Sequence, residues 1–592
     1  MDESKRQLLS GNEALARGAW EAGVRAAFGY PGTPSTEILE SLVTYPGVYC
    51  EWSPNEKVAL EAAAGAAIAG ARSLVTMKLV GLNVAADPLM TLSYIGVVGG
   101  MVVVVADDPG MNSSQTEQDT RHYARLAKLP VLEPGDAVDC RAFMLEAFAL
   151  SERHRCPVMV RTTTCVSHSR FQVPCGERQA PVDAHFERNP QQFCPLPIWG
   201  RKLREKVEER LAAQSAENSA SGLNRVFRCG DALGIVSHGV TALHCVEAFP
   251  EASVLKLGWG WPYPDALLRE FAGSVRRLVV IEEGDPILEE HLRSLGFACE
   301  GKETGLVPRT GELRPERLLA MRAALSGTAS AVPGPVAEAS DLPGRPPLLC
   351  AGCPHRGIFY ALTKFDVIVT GDIGCYSLGV FPPLSRTDTI LCMGGGFTLA
   401  HGMVQAGERR PVVGILGDST FFHSGMTGLL NMVYNRGQAV LVVVDNRTTA
   451  MTGHQDHPGT GRTLMGEATQ EASIERIAEA CGVRRIRVVN PYELEATVAV
   501  FREALSADEM TLVISRAPCI LKERARLGVS PCVDTARCKV CGACLKLGCP
   551  ALELSRKGEP PRVNGSLCNG CGLCVQVCRF SALACPEEMK EA

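Results

Sequence analysis

The chain has no excess of positive charge, no long apolar run and no internal repeat, and each absence removes a class of protein. With 60 Lys+Arg against 65 Asp+Glu and a net charge of -5, it lacks the basic field that draws a chain onto nucleic acid or anionic lipid, so neither is expected as a partner. Its most apolar stretch, 94–106, is broken by glycines and followed by Asp107-Asp108. That is shorter than the roughly 20 residues of a membrane helix, and we read it as buried strand, with no membrane association. Residues 1–18 are charged and helical in pattern; they lack the continuous apolar region of an export signal, which predicts a cytoplasmic location. No repeat with a period of about 20 to 50 residues stands out, so a solenoid is not expected. What the sequence does have is 592 residues that are 46% hydrophobic. Several domains can each bury a core at that length, and a disordered or fibrous chain is excluded.

Cysteine is crowded at one end. Ten of the 25 cysteines follow residue 531, and in a reducing compartment such crowding points to metal ligation rather than disulfides. The spacing runs Cys538-x2-Cys541-x2-Cys544-x4-Cys549-Pro550, then Cys568-x2-Cys571-x2-Cys574-x3-Cys578. This is the pattern of a double 4Fe-4S ferredoxin, in which three thiolates of one half and the last thiolate of the other hold each cube. Cys538, Cys541, Cys544 and Cys578 are therefore assigned to one cluster, and Cys568, Cys571, Cys574 and Cys549 to the second. The alternative is a pair of zinc sites, but zinc frameworks use paired rather than triple two-residue steps. Two departures stand out, the four-residue gap before Cys549 and the Arg579 that follows Cys578. Cys532 and Cys585 fall outside the pattern.

Upstream, an apolar β-branched run at 411–416 ends in Gly417-Asp418-Ser419, a helical stretch follows at 424–435, and a second run at 439–444 ends in Asp445-Asn446. One parallel βαβ unit accounts for this order. It sets Asp418 and Asn446 at the carboxyl ends of two strands, on the rim where open α/β sheets bind ligands. Two oxygen donors there suit Mg²⁺, which takes few protein ligands and fills the rest of its octahedron with phosphate and water. Both residues are also common in turns.

The sequence GDS…DN resembles the Gly-Asp-Gly…Asn-Asn motif of thiamine diphosphate enzymes. That resemblance implies Mg²⁺ held by the side chains of Asp418 and Asn446 and by the Thr448 carbonyl, with Gly417 and Ser419 beside the diphosphate. Glu56 opens an Ala/Gly-rich helical stretch at 56–71. In the resembling enzymes such a glutamate hydrogen-bonds the aminopyrimidine ring and activates the cofactor; Glu61 is the alternative, and an exposed position would suit either.

The glutamate, the diphosphate motif and the double ferredoxin tail together resemble the 2-oxoacid:ferredoxin oxidoreductases, within them the branch acting on aryl pyruvates such as indolepyruvate. Further matching motifs are Tyr30-Pro31-Gly32-Thr33-Pro34-Ser35, Met77-Lys78-Leu79-Val80-Gly81-Leu82-Asn83, Cys350-Ala351-Gly352-Cys353-Pro354-His355-Arg356 and Gly371-Asp372-Ile373-Gly374-Cys375. By this resemblance Thr33 contacts the 2-oxo acid, although a helix cap is its plainer reading. Arg121 is a candidate grip for the substrate carboxylate, or else an exposed surface residue. Cys350, Cys353, Cys375 and Cys519 match positions that hold a third 4Fe-4S cube near the cofactor in related enzymes; the alternative is four core thiols.

The implied fold is α/β and multidomain: a pyrimidine-type thiamine diphosphate domain at 1–190, a transketolase C-terminal-like domain at 195–325, a Pro/Ala/Gly/Ser-rich linker at 326–347, a diphosphate-type domain at 348–525 and a small ferredoxin domain at 530–592. The implied reaction converts the 2-oxo acid and coenzyme A to an acyl-CoA and CO₂, with electrons leaving on ferredoxin. A smaller β subunit, an α₂β₂-type assembly and oxygen sensitivity follow from the same resemblance. The same chemistry on another 2-oxo acid, a non-oxidative thiamine lyase or synthase with structural clusters, and an electron-transfer subunit with a lapsed site stay open.

Overall fold

The computed structural model describes residues 6–327, 347–524, 527–556 and 558–584. The chain forms two compact units, Met1–Leu342 and Pro343–Ala592. The expected linker at 326–347 lies, apart from its ends, outside the described residues, as does Cys585.

The first unit contains, in chain order, β1 (Ala26–Gly29), β2 (Tyr49–Trp52), β3 (Ser73–Lys78), β4 (Met101–Asp107), β5 (Val131–Leu132), β6 (Val158–Thr163), β7 (Arg225–Phe227), β8 (Leu233–His238), β9 (Ser253–Leu257), β10 (Trp259–Trp261) and β11 (Arg277–Val280). Its larger sheet runs β10-β5-β6-β4-β3-β1-β2, parallel throughout except for the edge pair β10–β5. The central strands β3, β4 and β6 are buried along their whole length, as expected of a parallel sheet covered on both faces. A smaller sheet runs β11-β8-β9-β7.

One expectation is corrected by the structure. The stretch 94–106 is not one strand: a helix, Ala86–Ile95, ends at Gly96 with φ 66, and β4 begins only at Met101. Gly99 lies between them because a Cβ there would meet the Ala71 carbonyl oxygen at 2.4 Å. Within this unit β10 extends the larger sheet, and Asn218 Nδ2 donates to the Trp259 and Pro262 carbonyls at 2.9 and 2.7 Å, tying the preceding helix to that strand.

The second unit holds β12 (Ile368–Gly371), β13 (Thr389–Ile390), β14 (Val412–Gly417), β15 (Val440–Asp445), β16 (Arg485–Val489) and β17 (Thr511–Arg516). They form one parallel sheet in the order β13-β12-β14-β15-β17-β16. The βαβ unit read around Asp418 is present, with Gly417 paired to Val444 in register. Counted within each unit, the six parallel strands follow the same order, 2-1-3-4-6-5, so one architecture occurs twice in the chain.

The cysteine-rich tail belongs to this unit. Its two short antiparallel ladders pair Cys532–Val533 with Leu583–Ala584 and Leu552–Glu553 with Arg562–Val563. Leu547, Leu573, Val577 and Leu583 pack with Leu494, Tyr360 and Tyr492 of the α/β layer, and Gln576 Nε2 donates to the Tyr492 carbonyl at 2.7 Å. No helix among the described residues is long and apolar enough to cross a membrane.

Candidate functional site

In each sheet the strand order reverses between the first and third strands, so the ligand crevice of an open α/β sheet opens at their carboxyl ends. In the first unit these are β1 and β3. The turn after β1 is braced from inside: Ser35 Oγ donates to the Gly32 carbonyl at 2.8 Å and the Gly32 N–H to Thr36 Oγ1 at 2.9 Å. Thr33 is left half-buried on it, and its carbonyl accepts from Ser113 Oγ at 3.4 Å. It is not a helix cap, since that position belongs to Ser35, the residue before α1 (Thr36–Leu42).

Beside this turn stands Lys78, the last residue of β3, donating to the Ser113 carbonyl at 2.8 Å. Burial pushes its pKa down, opposed by the charge of Asp108. Burial raises the Asp108 carboxyl, but hydrogen bonds from the Ser113 N–H, the Ser114 and Thr164 hydroxyls and the Asn112 amide outweigh it and hold the pKa at about 2.

Glu56 reaches the same rim. Asn55 Oδ1 accepts from the Val58 N–H at 2.9 Å, capping α2 (Glu56–Ile68) so that Glu56 is its first residue. Glu56 is only 5% exposed. Across from it α3 (Leu79–Val84) presents Gly81, where a Cβ would lie 2.6 Å from both Cγ and Oε1 of Glu56. Glu61 is exposed and pairs with Lys57, so the two candidate glutamates separate cleanly.

Arg121 is neither an exposed residue nor a free carboxylate grip. It is buried, with Nε 2.9 Å and Nη2 2.6 Å from the Asp119 carboxylate, Nη1 2.7 Å from Glu282 Oε2, and Nη2 also donating to the Glu283 and Asp285 carbonyls. Burial opposes its charge, yet Asp119 and Glu282 push its pKa up. All three guanidinium nitrogens are engaged by acids and carbonyls of the interior. Beside it Arg161 bonds to Asp107 and Glu133, each at 2.7 Å.

In the second unit the reversal lies between β12 and β14, flanked by Asp372 and Asp418. Asp418 is buried; Oδ1 accepts from the Ser419 N–H at 2.9 Å and Oδ2 from the Thr448 N–H at 3.2 Å. The same Thr448 N–H lies 3.3 Å from Asn446 Oδ1. Asp418, Asn446 and Thr448 are thus brought together, with Gly417 ending the strand. A π-helical turn at Phe421–Gly425 follows, a distortion frequent at functional sites. Ser419 Oγ accepts from Thr449 Oγ1 at 2.9 Å.

Sequence reasoning missed three groups here. His457 Nε2 lies 3.0 Å from Asp418 Oδ2; although burial opposes it, the imidazole and the Ser419 N–H keep the Asp418 carboxyl below its ordinary range. His355 Nε2 lies 3.5 Å from Asn446 Nδ2, and burial drives its pKa down to about 4. Burial pushes the Asp372 carboxyl up to about 8, even though it accepts from Tyr376 and from the Gly394 N–H. His355 and Asp372 lie inside quoted motifs, while the only signal for His457 was its place in the loop after Asn446.

The tail thiols ring two cavities. One is lined by Cys538, Cys541, Cys544 and Cys578, the other by Cys549, Cys568, Cys571 and Cys574. These sets cross the two sequence halves. Burial lifts the thiols of Cys544, Cys571 and Cys574, the last to about 12. Cys350, Cys353, Cys375 and Cys519 form a third group: Cys350 and Cys375 each feel the charge of Cys519, and Cys353 those of Cys350 and Cys375. Burial raises Cys353 to about 12 and Cys375 to about 11.

Two family models match the chain: "Pyruvate flavodoxin/ferredoxin oxidoreductase, thiamine diP-bdg" over residues 17–198 and "Thiamine pyrophosphate enzyme, C-terminal TPP binding domain" over 372–515. They fall on the two sheets with the shared strand order. The indolepyruvate oxidoreductase subunit IorA of Methanothermobacter marburgensis is 44% identical over 573 residues, with 92% of each chain covered. That of Pyrococcus horikoshii is 37% identical, covering 98% of this chain and 96% of its own. A solved 2-oxoglutarate:ferredoxin oxidoreductase from Magnetococcus marinus aligns with a TM-score of 0.44 and 17% identity over 51% of this chain and 62% of its own, a likeness too partial to bear on the site. With such identity along nearly its whole length, the chain belongs to the indolepyruvate oxidoreductase IorA family, within the thiamine diphosphate-dependent 2-oxoacid:ferredoxin oxidoreductases.

Proposed function

We propose that this chain, with a smaller β subunit, oxidatively decarboxylates an aryl pyruvate, indolepyruvate by its family, and passes the acyl group to coenzyme A. Electrons leave through 4Fe-4S clusters to ferredoxin. The observation that carries this reading is the crossed grouping of eight tail thiols around two cavities, the ligand arrangement of a two-cluster ferredoxin. Thiols that burial holds protonated become ligands only when a metal displaces the proton, so these cavities gain charge on loading.

At the second sheet the donor set fits Mg²⁺: a carboxylate kept ionised, an amide oxygen and a backbone turn meet at the strand ends. Asp418, Asn446 and the Thr448 carbonyl would hold the cation, which grips the diphosphate beside Gly417 and Ser419. Bound thiamine diphosphate supplies a carbon nucleophile and an electron sink for loss of CO₂. Glu56, buried against Gly81, hydrogen-bonds the aminopyrimidine ring. Thr33, held on its braced turn, offers its hydroxyl to the 2-oxo acid. The chain works in an α₂β₂-type assembly in the cytoplasm and is oxygen-sensitive.

The test is an anaerobic assay of the purified complex with indolepyruvate, phenylpyruvate, pyruvate and 2-oxoglutarate, following reduction of a low-potential dye. Reduction that requires both an aryl pyruvate and coenzyme A is expected. Preference for pyruvate, or turnover without coenzyme A, refutes the reading. Iron content decides on the third thiol group: about twelve irons per chain places a third cube on Cys350, Cys353, Cys375 and Cys519, and about eight leaves them core thiols.

A further inference from the structure

Arg356 is 2% exposed. Its guanidinium donates only to backbone carbonyls: Nε to Cys350 at 3.0 Å, Nη1 to Leu547 at 2.9 Å and Gly548 at 2.7 Å, and Nη2 to Leu349. Among the described residues no carboxylate pairs with it, unlike Arg121 and Arg161, which are equally buried but lie among acids. An interior cation without a counter-charge is costly, so this one calls for a partner of another kind. Arg356 lines the cavity of Cys549, Cys568, Cys571 and Cys574. Burial lowers its pKa, and the opposing charges are those of Cys549, Cys353, Cys350 and Cys571, all sulfur.

We propose that Arg356 is the resident counter-charge of the cluster held by Cys549, Cys568, Cys571 and Cys574, and that it raises the reduction potential of that cluster and not of the one held by Cys538, Cys541, Cys544 and Cys578. This rests on the cluster reading given above. Taking up one electron adds one negative charge inside the thiolate set, and no proton need accompany it because the guanidinium is already protonated. Arg356 therefore favours the reduced state by attraction through a dry interior, where charges are poorly screened. Its four carbonyl partners hold the fork beside the cavity and spend none of its charge. The cavity of Cys538, Cys541, Cys544 and Cys578 has no such cation in its lining, where Lys539 is exposed to solvent.

The test compares Arg356→Gln and Arg356→Lys in the full complex by dithionite titration followed by electron paramagnetic resonance. The relevant signal is identified as the one lost in Cys571→Ser. Both variants lose the planar fork, but only the first loses the charge. At the poise that half-reduces this cluster in the parent, Arg356→Gln should lower its reduced-to-oxidised ratio about tenfold, about 59 mV for a one-electron couple. Arg356→Lys should stay within about threefold, and the other cluster should not move. An unchanged ratio in Arg356→Gln, or equal shifts in both variants, overturns the proposal. If Arg356→Gln fails to retain iron, retention by Arg356→Lys supports charge compensation and loss from both overturns it. A parent complex with no signal lost in Cys571→Ser would instead overturn the cluster reading itself.

Discussion

Gly81→Ala should cripple turnover while making its own helix better. Alanine is favoured over glycine inside a helix by about 1 kcal/mol, and Gly81 lies within α3 with no positive φ to strain. Against that, its Cβ would lie 2.6 Å from Cγ and Oε1 of Glu56 and 2.9 Å from Cδ, where ordinary contact begins at 3.4 Å. Glu56 is the first residue of a capped helix, so its backbone cannot retreat cheaply and the carboxyl must swing aside by roughly 0.8 Å, the difference between the two distances. A misplacement near 1 Å at a reacting group costs on the order of 10²-fold. A loss of about 30- to 100-fold in kcat is therefore expected, with thiamine diphosphate affinity nearly unchanged because the metal and diphosphate contacts lie elsewhere. The assay is anaerobic dye reduction, run also in a Glu56→Ala background. There Gly81→Ala should cost little more, since the side chain it displaces is gone. Wild-type kcat in Gly81→Ala, or an equal fold-loss in both backgrounds, refutes the reasoning.

Three further outcomes are expected. Cys549→Ser should remove the same cluster signal as Cys571→Ser, and Cys578→Ser the same as Cys538→Ser, because the thiol sets cross the halves of the tail; pairing by sequence neighbourhood instead would refute the crossed assignment. Asp418→Ala should abolish retention of thiamine diphosphate on desalting while leaving the iron of the two tail clusters unchanged, since the carboxylate is at the β14 rim and the eight thiols of those clusters are in the tail; lost tail iron with retained cofactor would contradict it. Burial raises the Glu133 carboxyl, but His238 and Arg161 draw it down to about 2. A carboxylate depressed on folding contributes stability that is complete above its unfolded pKa, near 4.3, and is lost as pH falls toward the folded value. The contribution is about 3 kcal/mol. Glu133→Gln should therefore melt lower than the parent at pH 7 and the gap should narrow toward pH 3; a gap independent of pH refutes it.

What the sequence disclosed followed from how locally each feature is determined. β14 and β15 are continuous β-branched runs closed by Gly417 and Asn446, and a fully buried parallel strand has no other way to read. The thiol spacing predicts two crossed sets of four, and the same two sets line the two tail cavities. Gly96 to Gly100 misled: composition shows that the stretch is apolar, but the helix stop at Gly96 depends on a left-handed φ and the approach of Gly99 on the Ala71 backbone. Arg121 misled for the opposite reason. A charged residue in QTEQDTR reads as solvated, and only partners up to 164 residues away bury it. The join at β10 was equally hidden, because a three-residue edge strand pairing with one about 130 residues earlier leaves no local period.

The repeated strand order explains why the chemistry divides as it does. Both sheets expose a crevice after their first and third strands, so topology alone offers two equivalent places for an anionic cofactor and its cation. Side chains break the tie. At the first rim Asp108 is already satisfied by four protein donors and Lys78 stands beside it, which disfavours a divalent cation and leaves Thr33 and Glu56 as hydrogen-bonding groups for neutral rings and carbonyls. At the second rim Asp418 and Asn446 have no lysine or arginine among the contacts described above, and the nearest basic groups are His457 and His355, the latter held neutral near pH 7 by burial. On the proposed reading a cation and a diphosphate would therefore be held at the second sheet, and Glu56 and Thr33 would serve hydrogen bonding at the first. Moving the acid to the first rim, as in Thr33→Asp combined with Asp418→Ala, would not recreate the site, because Lys78 would capture the new carboxylate before a metal could.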